Sequence, residues 1–190
     1  MDLTEQELQN KEAFSRKEAL QQYSQFYLFP VEERIFKVHF EVPGRVLDIG
    51  CGCGRTSLFL KRMGHSVTGI DIVSEMIEEA SKLVQGVDFR IMDGCELMFD
   101  NEFFDYVLFS FNGIDYIYPE EKRSRCLGEI YRVLKPGHPF VFSTHNALSL
   151  QTLIPSNRFR LVNWLLNAKR RRLLSGRYTT SANTFSILLK

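Results

Sequence analysis

The 190-residue chain has no apolar run approaching the length that crosses a membrane. Its acidic start, with Asp2, Glu5 and Glu7, lacks the basic and apolar pattern of a secretory leader, so a cytoplasmic protein is expected. The four cysteines, Cys51, Cys53, Cys95 and Cys126, show no paired C-x-x-C spacing, which argues for reduced thiols over a disulfide framework or a zinc site; no metal is expected. Acids are missing from residues 144–190, which hold eight Lys or Arg, while all 23 acids precede them. Behind a formal net charge of +1, that tail is a separate electrostatic object. What is present suits one α/β domain with a proper core: 44% hydrophobic and 25% charged residues, with 16 Phe pointing to an aromatic-rich interior or pocket.

The chain is organised around the run from Val46 to Thr56, in which Val46, Leu47, Asp48 and Ile49 lead into Gly50, Cys51, Gly52, Cys53 and Gly54. An apolar β-branched run, a loop with Gly at every second position and a helical segment from Thr56 to Met63 predict strand, tight turn and helix. Glycines remove the Cβ atoms that would hold a ligand away, and the helix start offers unpaired N–H groups. Many nucleotide-binding loops share that much. Asp48 separates this one, because a carboxylate two residues before the first Gly opposes a pyrophosphate and suits a cationic ligand without phosphate.

At these residues the sequence resembles the class I S-adenosylmethionine-dependent methyltransferases, whose first motif is matched by Asp48-x-Gly50-x-Gly52-x-Gly54, and the similarity continues to about Ser143. The resemblance implies a doubly wound, mostly parallel Rossmann-like sheet with helices on both faces and S-adenosylmethionine as cofactor. The alternation along the chain agrees, with strands expected at 45–49, 66–70, 87–92, 106–110 and 139–143, and helices from Ser74 towards Gly86 and from Pro119 to Leu134. The segment 95–104 is too short for a full crossover helix.

Asp48, Asp71 and Asp93 each end a strand, and parallel strands place their C-terminal ends along one rim. Asp71 lies about 20 residues past the first Gly, where an acid on the second strand reaches ribose hydroxyls. The resemblance gives Asp71, with Ile72, that ribose role. It gives Asp93, Gly94 and Cys95 the adenine, and Asp48 with Gly50, Cys51, Gly52 and Gly54 the methionine end. A lone Asp is more often a loop cap, but three at this spacing favour a cofactor site.

The rim from Phe109 to Tyr116, including Ser110, is expected to face the transferring methyl. It lacks the Pro-Pro after Asn112 that marks amino-group methylation of bases or Gln, and it lacks a Pro-Cys pair for thiol attack on a pyrimidine. Direct displacement needs mostly alignment and exclusion of water. Where the acceptor carries a proton, His145 is the best placed candidate, followed by Asp115 and Tyr116; a surface role for a lone His competes equally.

Three regions are expected: a helical lid over 1–42, with Tyr23, Phe26, Tyr27 and Phe29 as its aromatic edge or simply packed on the sheet; the cofactor-binding core over 43–143; and a basic tail over 144–190. In the tail one helix (161–174) and one strand (178–189) fit, whereas the family completes its sheet with another helix and two strands. An incomplete C-terminal edge is therefore expected, from a shortened chain or a different organisation, with homo-oligomer formation as one consequence. The basic residues around Trp164 leave nucleic acid open as a partner, although a solvated face is the simpler reading. The expected function is methyl transfer to a small-molecule acceptor. A catalytically incomplete binding domain and an NAD-dependent oxidoreductase are the rivals.

Overall fold

The computed structural model describes residues 5–145, 176–179 and 183–190. The chain runs α1 (Glu5–Ser15), α2 (Lys17–Tyr23), α3 (Pro30–His39), β1 (Arg45–Ile49), α4 (Arg55–Arg62), β2 (Ser66–Asp71), α5 (Ser74–Leu83), β3 (Asp88–Ile91), β4 (Tyr106–Phe109), α6 (Glu120–Val133), β5 (Pro139–His145), β6 (Gly176–Thr179) and β7 (Asn183–Leu189). The seven strands form one sheet in the order β3-β2-β1-β4-β5-β7-β6. The first five are parallel, and the order reverses beside β1, where open α/β sheets place their ligands.

Strand alternation distributes the core between the two faces. Leu47, Ile49, Val107 and Phe109 pack with Ile130 and Val133 of α6. Val46, Leu108 and Val141 pack with Ile35 and Phe36 of α3 and Leu60 of α4 on the other face. A third cluster joins the loop residue Cys53 to Val73 and Met76, with Phe14, Leu20 and Tyr23 against it, which fixes the N-terminal helices beside the glycine loop.

Two expectations change. The start of the helical region expected over 1–42 is not continuous: the extended backbone of Arg16 (φ −67°, ψ 147°) separates α1 from α2, although no Gly or Pro marks the break. The C-terminal edge is not incomplete: β7 pairs antiparallel with β5 along its whole length, and β6 pairs antiparallel with β7. The single strand expected over 178–189 is two antiparallel strands, although its Thr- and Ser-rich run has β-propensity throughout and no Gly or Pro to mark the division. With that edge built, the reason given for self-association falls away. The tail helix over 161–174 and Trp164 lie outside the described residues. Among those described, no helix is long and apolar enough to cross a membrane.

Because Ile187 of β7 is fully buried against the α3/α4 face of the sheet, Ile187→Ala is expected to cost about 2–5 kcal/mol in urea unfolding. Leu189→Ala, at a 59% exposed position of the same strand, is expected to change stability by less than about 0.5 kcal/mol.

Candidate functional site

The glycine loop is clamped from the second strand. Cys51 N–H donates to the Ile70 carbonyl (3.0 Å), Gly52 N–H to Asp71 Oδ2 (3.0 Å), and Val73 N–H to Asp71 Oδ1 (2.9 Å). One carboxylate thereby ties the loop after β1 to the start of α5. Gly52 has φ +54°, and a Cβ there would meet only Tyr23 and Met76, each at 3.9 Å, so its bare backbone borders open space. Gly54 (φ +84°) serves packing: a Cβ would come within 2.8 Å of the Phe89 ring, and this glycine does not line the cavity.

Asp48 is fully buried beneath the loop and is absent from the cavity wall. Strand alternation turns it to the same face as Val46, towards α4, where Thr56 Oγ1 (2.7 Å) and Ser57 Oγ (2.6 Å) both donate to its Oδ2. Its Oδ1 has no hydrogen-bond partner. Burial raises the carboxyl to about 6 despite the two hydroxyls, so it is mostly ionised at pH 7. The direct contact with the methionine end expected for Asp48 is not what this position offers.

The other rim residues do converge. A cavity above the switch point is lined by Gly50, Cys51 and Gly52, by Asp71 and Ile72, by Asp93, Gly94 and Cys95, and by Ser110. Asp93 Oδ1 accepts from Cys95 N–H (2.8 Å), and its Oδ2, without a hydrogen bond, stands 3.5 Å from Lys122 Nζ. A hydrogen bond with Cys126, together with burial, pushes the Cys95 thiol far up, and burial does the same to Cys51. Neither thiol is a nucleophile at neutral pH.

The mouth is aromatic. Rings follow one another from Tyr116 to Phe14 (5.5 Å), Phe14 to Tyr23 (5.8 Å), Tyr23 to Phe111 (5.6 Å) and Phe111 to Phe29 (6.1 Å), joining the N-terminal helices to the loop after β4. Phe111 and Asn112 hold left-handed backbones (φ +54° and +61°), which costs about 1–2 kcal/mol per residue and is stored beside the cavity. Burial raises the Tyr23 phenol, so it stays protonated. Asp115 and His145 do not line the cavity, although Tyr116, next to Asp115 in the chain, does, and they meet each other: Asp115 Oδ2 accepts the His145 backbone N–H (2.7 Å) and stands 2.8 Å from its Nδ1. Tyr116 lines the cavity, with its ring 6.4 Å from that of His145.

Phe111 belongs to the rim expected to face the methyl, whereas sequence reasoning missed Phe14 and a buried ion pair. Arg55 forks onto Glu32, with NH1 to Oε2 at 2.6 Å and NH2 to Oε1 at 2.8 Å, and also donates to the Tyr27 carbonyl (3.0 Å). Glu32 is buried and also accepts the Phe29 N–H at the start of α3. The pair binds the N-terminal region to the residue following Gly54. A cation directly after the third glycine and an acid in the first turn of α3 were the visible signals, but nothing local links them.

Residues 46–137 match the family model described as a methyltransferase domain. This part of the chain is a class I S-adenosylmethionine-dependent methyltransferase domain. The chain is 36% identical over 98 residues to the ubiquinone/menaquinone biosynthesis C-methyltransferase UbiE of Desulfotalea psychrophila, covering 50% of this chain and 38% of that protein. It spans less than half the length of the curated relatives it matches. A solved S-adenosylmethionine-dependent methyltransferase of Methanosarcina mazei matches with 32% identity and a TM-score of 0.50 over 61% of this chain and 57% of its own. A 1,6-didemethyltoxoflavin-N1-methyltransferase of Burkholderia thailandensis, solved with S-adenosylhomocysteine bound, shares the fold over 100% of this chain and 92% of its own, with a TM-score of 0.69 and 17% identity.

The methyltransferase domain implies S-adenosylmethionine, and the residues present fit it. A side chain at Gly52 would occupy the open space above the loop, and two carboxylates stand on the cavity wall, Asp71 at the end of β2 and Asp93 just past β3. The Arg55–Glu32 pair is neutral as a unit and Asp93 is offset by Lys122, so Asp48 and Asp71 leave the loop region negative, complementary to ammonium and sulfonium groups.

Asp48 also sets a pH dependence. Its folded value of about 6 lies above the ordinary 3.8, so the stability it contributes is fully present below pH 3.8 and is lost as pH rises through about 6. Asp48→Asn, which can still accept from Thr56 and Ser57, removes that decline. Urea unfolding of both proteins from pH 4 to 7 is expected to show the stability difference moving in favour of the variant by about 2–3 kcal/mol, from the size of the shift.

Proposed function

We propose that the chain binds S-adenosylmethionine in the cavity above β1 and β2 and catalyses direct methyl transfer to a small-molecule acceptor, with α1, α2 and α3 as its lid. The observation that carries this reading is the convergence of a bare-backbone loop at Gly52 with Asp71 and Asp93 on one apolar-walled cavity. In this reading Asp71 takes the ribose hydroxyls while still holding the loop. Asp93, Gly94 and Cys95 flank the adenine, and Gly50, Cys51 and Gly52 face the methionine chain, with Ser110 near the methyl. Asp48 contributes charge from below rather than contact. Bound there, the cofactor would supply a methyl group already activated by a sulfonium, so alignment and exclusion of water are the main tasks left to the protein.

The ring chain from Tyr116 to Phe29 supports the lid, since it would shut bulk water out of the acceptor end. The relative from Desulfotalea psychrophila is named for ubiquinone/menaquinone biosynthesis, which is consistent with a small-molecule acceptor. The non-catalytic alternative rested on an unfinished sheet, and β6 and β7 remove that premise. The NAD-dependent alternative would set a pyrophosphate over a loop whose nearest uncompensated charges are Asp48 and Asp71.

Calorimetric titration tests the cofactor assignment. S-adenosylhomocysteine is expected to bind, and Asp71→Asn to weaken it by about 10- to 100-fold, the value of one or two hydrogen bonds to a charged group. Circular dichroism checks that the variant folds. Tight NAD binding with none for S-adenosylhomocysteine would contradict the proposal.

A further inference from the structure

We propose that the acceptor is an aromatic ring bearing an ionisable hydroxyl, and that His145, positioned by Asp115, takes the proton of that hydroxyl. The inference rests on the methyltransferase reading above and adds to it the acceptor class and the proton's route. Asp115 lies in the tight turn Gly113–Tyr116 after β4, and His145 ends β5. The same carboxylate oxygen meets both the backbone N–H and the Nδ1 of His145, which locks the residue at two points. An ionised carboxylate only accepts, so Nδ1 carries the hydrogen, and in the neutral imidazole the lone pair then sits on Nε2. The ring is 63% exposed, so a proton taken at Nε2 can pass to water.

The neighbouring wall fits a planar acceptor. Phe14, Tyr23, Phe111 and Tyr116 all line the cavity and already pack edge to face with one another, the arrangement that a further aromatic ring would extend. Lys11, three residues before Phe14 on α1, lies on the same wall and would stabilise a forming oxyanion. The other titratable groups on the wall are engaged elsewhere: Tyr23, Cys51 and Cys95 are held protonated, Asp71 accepts from two backbone N–H groups, and Asp93 accepts from the Cys95 N–H and pairs with Lys122.

The step balances. The acceptor O–H bond breaks and its proton goes to Nε2; the oxygen forms a bond to the methyl carbon as the carbon–sulfur bond breaks, with its electron pair returning to sulfur to give S-adenosylhomocysteine. The positive charge of the sulfonium ends on the imidazolium and leaves as a proton to water.

The test compares phenol with 4-nitrophenol as acceptors, at a pH where the second is ionised and the first is not. Wild type is expected to methylate both. His145→Gln and Asp115→Asn are expected to lose kcat on phenol about 100-fold or more beyond their loss on 4-nitrophenolate, which needs no base. A purely structural role would depress both acceptors equally and would overturn the assignment, as would undiminished phenol turnover. Failure of wild type to methylate either phenol while still binding S-adenosylhomocysteine would overturn the acceptor class alone. Failure to bind S-adenosylhomocysteine would instead overturn the underlying methyltransferase reading.

Discussion

A buried carboxylate under the glycine loop is the constraint on which the site depends. Asp48 is the penultimate residue of the inner strand β1, and its burial is tolerable because two hydroxyls at the start of α4 converge on one of its oxygens. Those bonds fix where α4 begins relative to β1, and so fix the path of the loop between them. Burying an ion with one oxygen unpartnered is costly, which is why its ordinary acidity is lost. The arrangement places negative charge directly beneath a loop in which every second residue is a glycine.

Around that centre, two further devices hold the loop open. Asp71 uses both oxygens to fix Gly52 and Val73, which keeps the backbone of Gly52 at the cavity rather than collapsed onto β2. From the other side, the Arg55–Glu32 pair anchors the N-terminal helices to the residue after Gly54. It is buried and bidentate, so removing one partner would strand a charge at a cost of about 3–5 kcal/mol. Arg55 also stands 5.4 Å from the Phe111 ring and 5.7 Å from that of Phe29, so the N-terminal region, the glycine loop and the strained turn after β4 meet at one guanidinium.

Much of this was legible in the sequence, because glycines and acids at strand ends punctuate it strongly. The five parallel strands follow from short apolar runs bounded by turn residues, and the placement of Asp71 and Asp93 on the rim follows from their positions at the ends of two of those runs. The burial of Asp48 could have been read from the period-two alternation of a strand: residue 48 shares a strand face with Val46, and that face packs on a helix. What local pattern cannot show is pairing at a distance. Glu32 and Arg55 are 23 residues apart, and neither Phe14 on a largely polar helix nor Phe111 inside a loop announces the other. The hairpin of β6 and β7 was hidden because a Thr- and Ser-rich run with no Gly or Pro reads as continuous strand.

The division of labour among the three rim acids is the central claim: Asp71 and Asp93 face the ligand, while Asp48 sets the loop's charge from below. A crystal structure of the protein with S-adenosylhomocysteine tests it most directly. The expected result is ribose hydroxyls against Asp71, adenine beside Asp93, Gly94 and Cys95, the amino-acid chain along Gly50 to Gly52, and Asp48 still buried on Thr56 and Ser57. A ligand lying elsewhere on the protein, or one reaching Asp48 directly with the loop displaced, would contradict it.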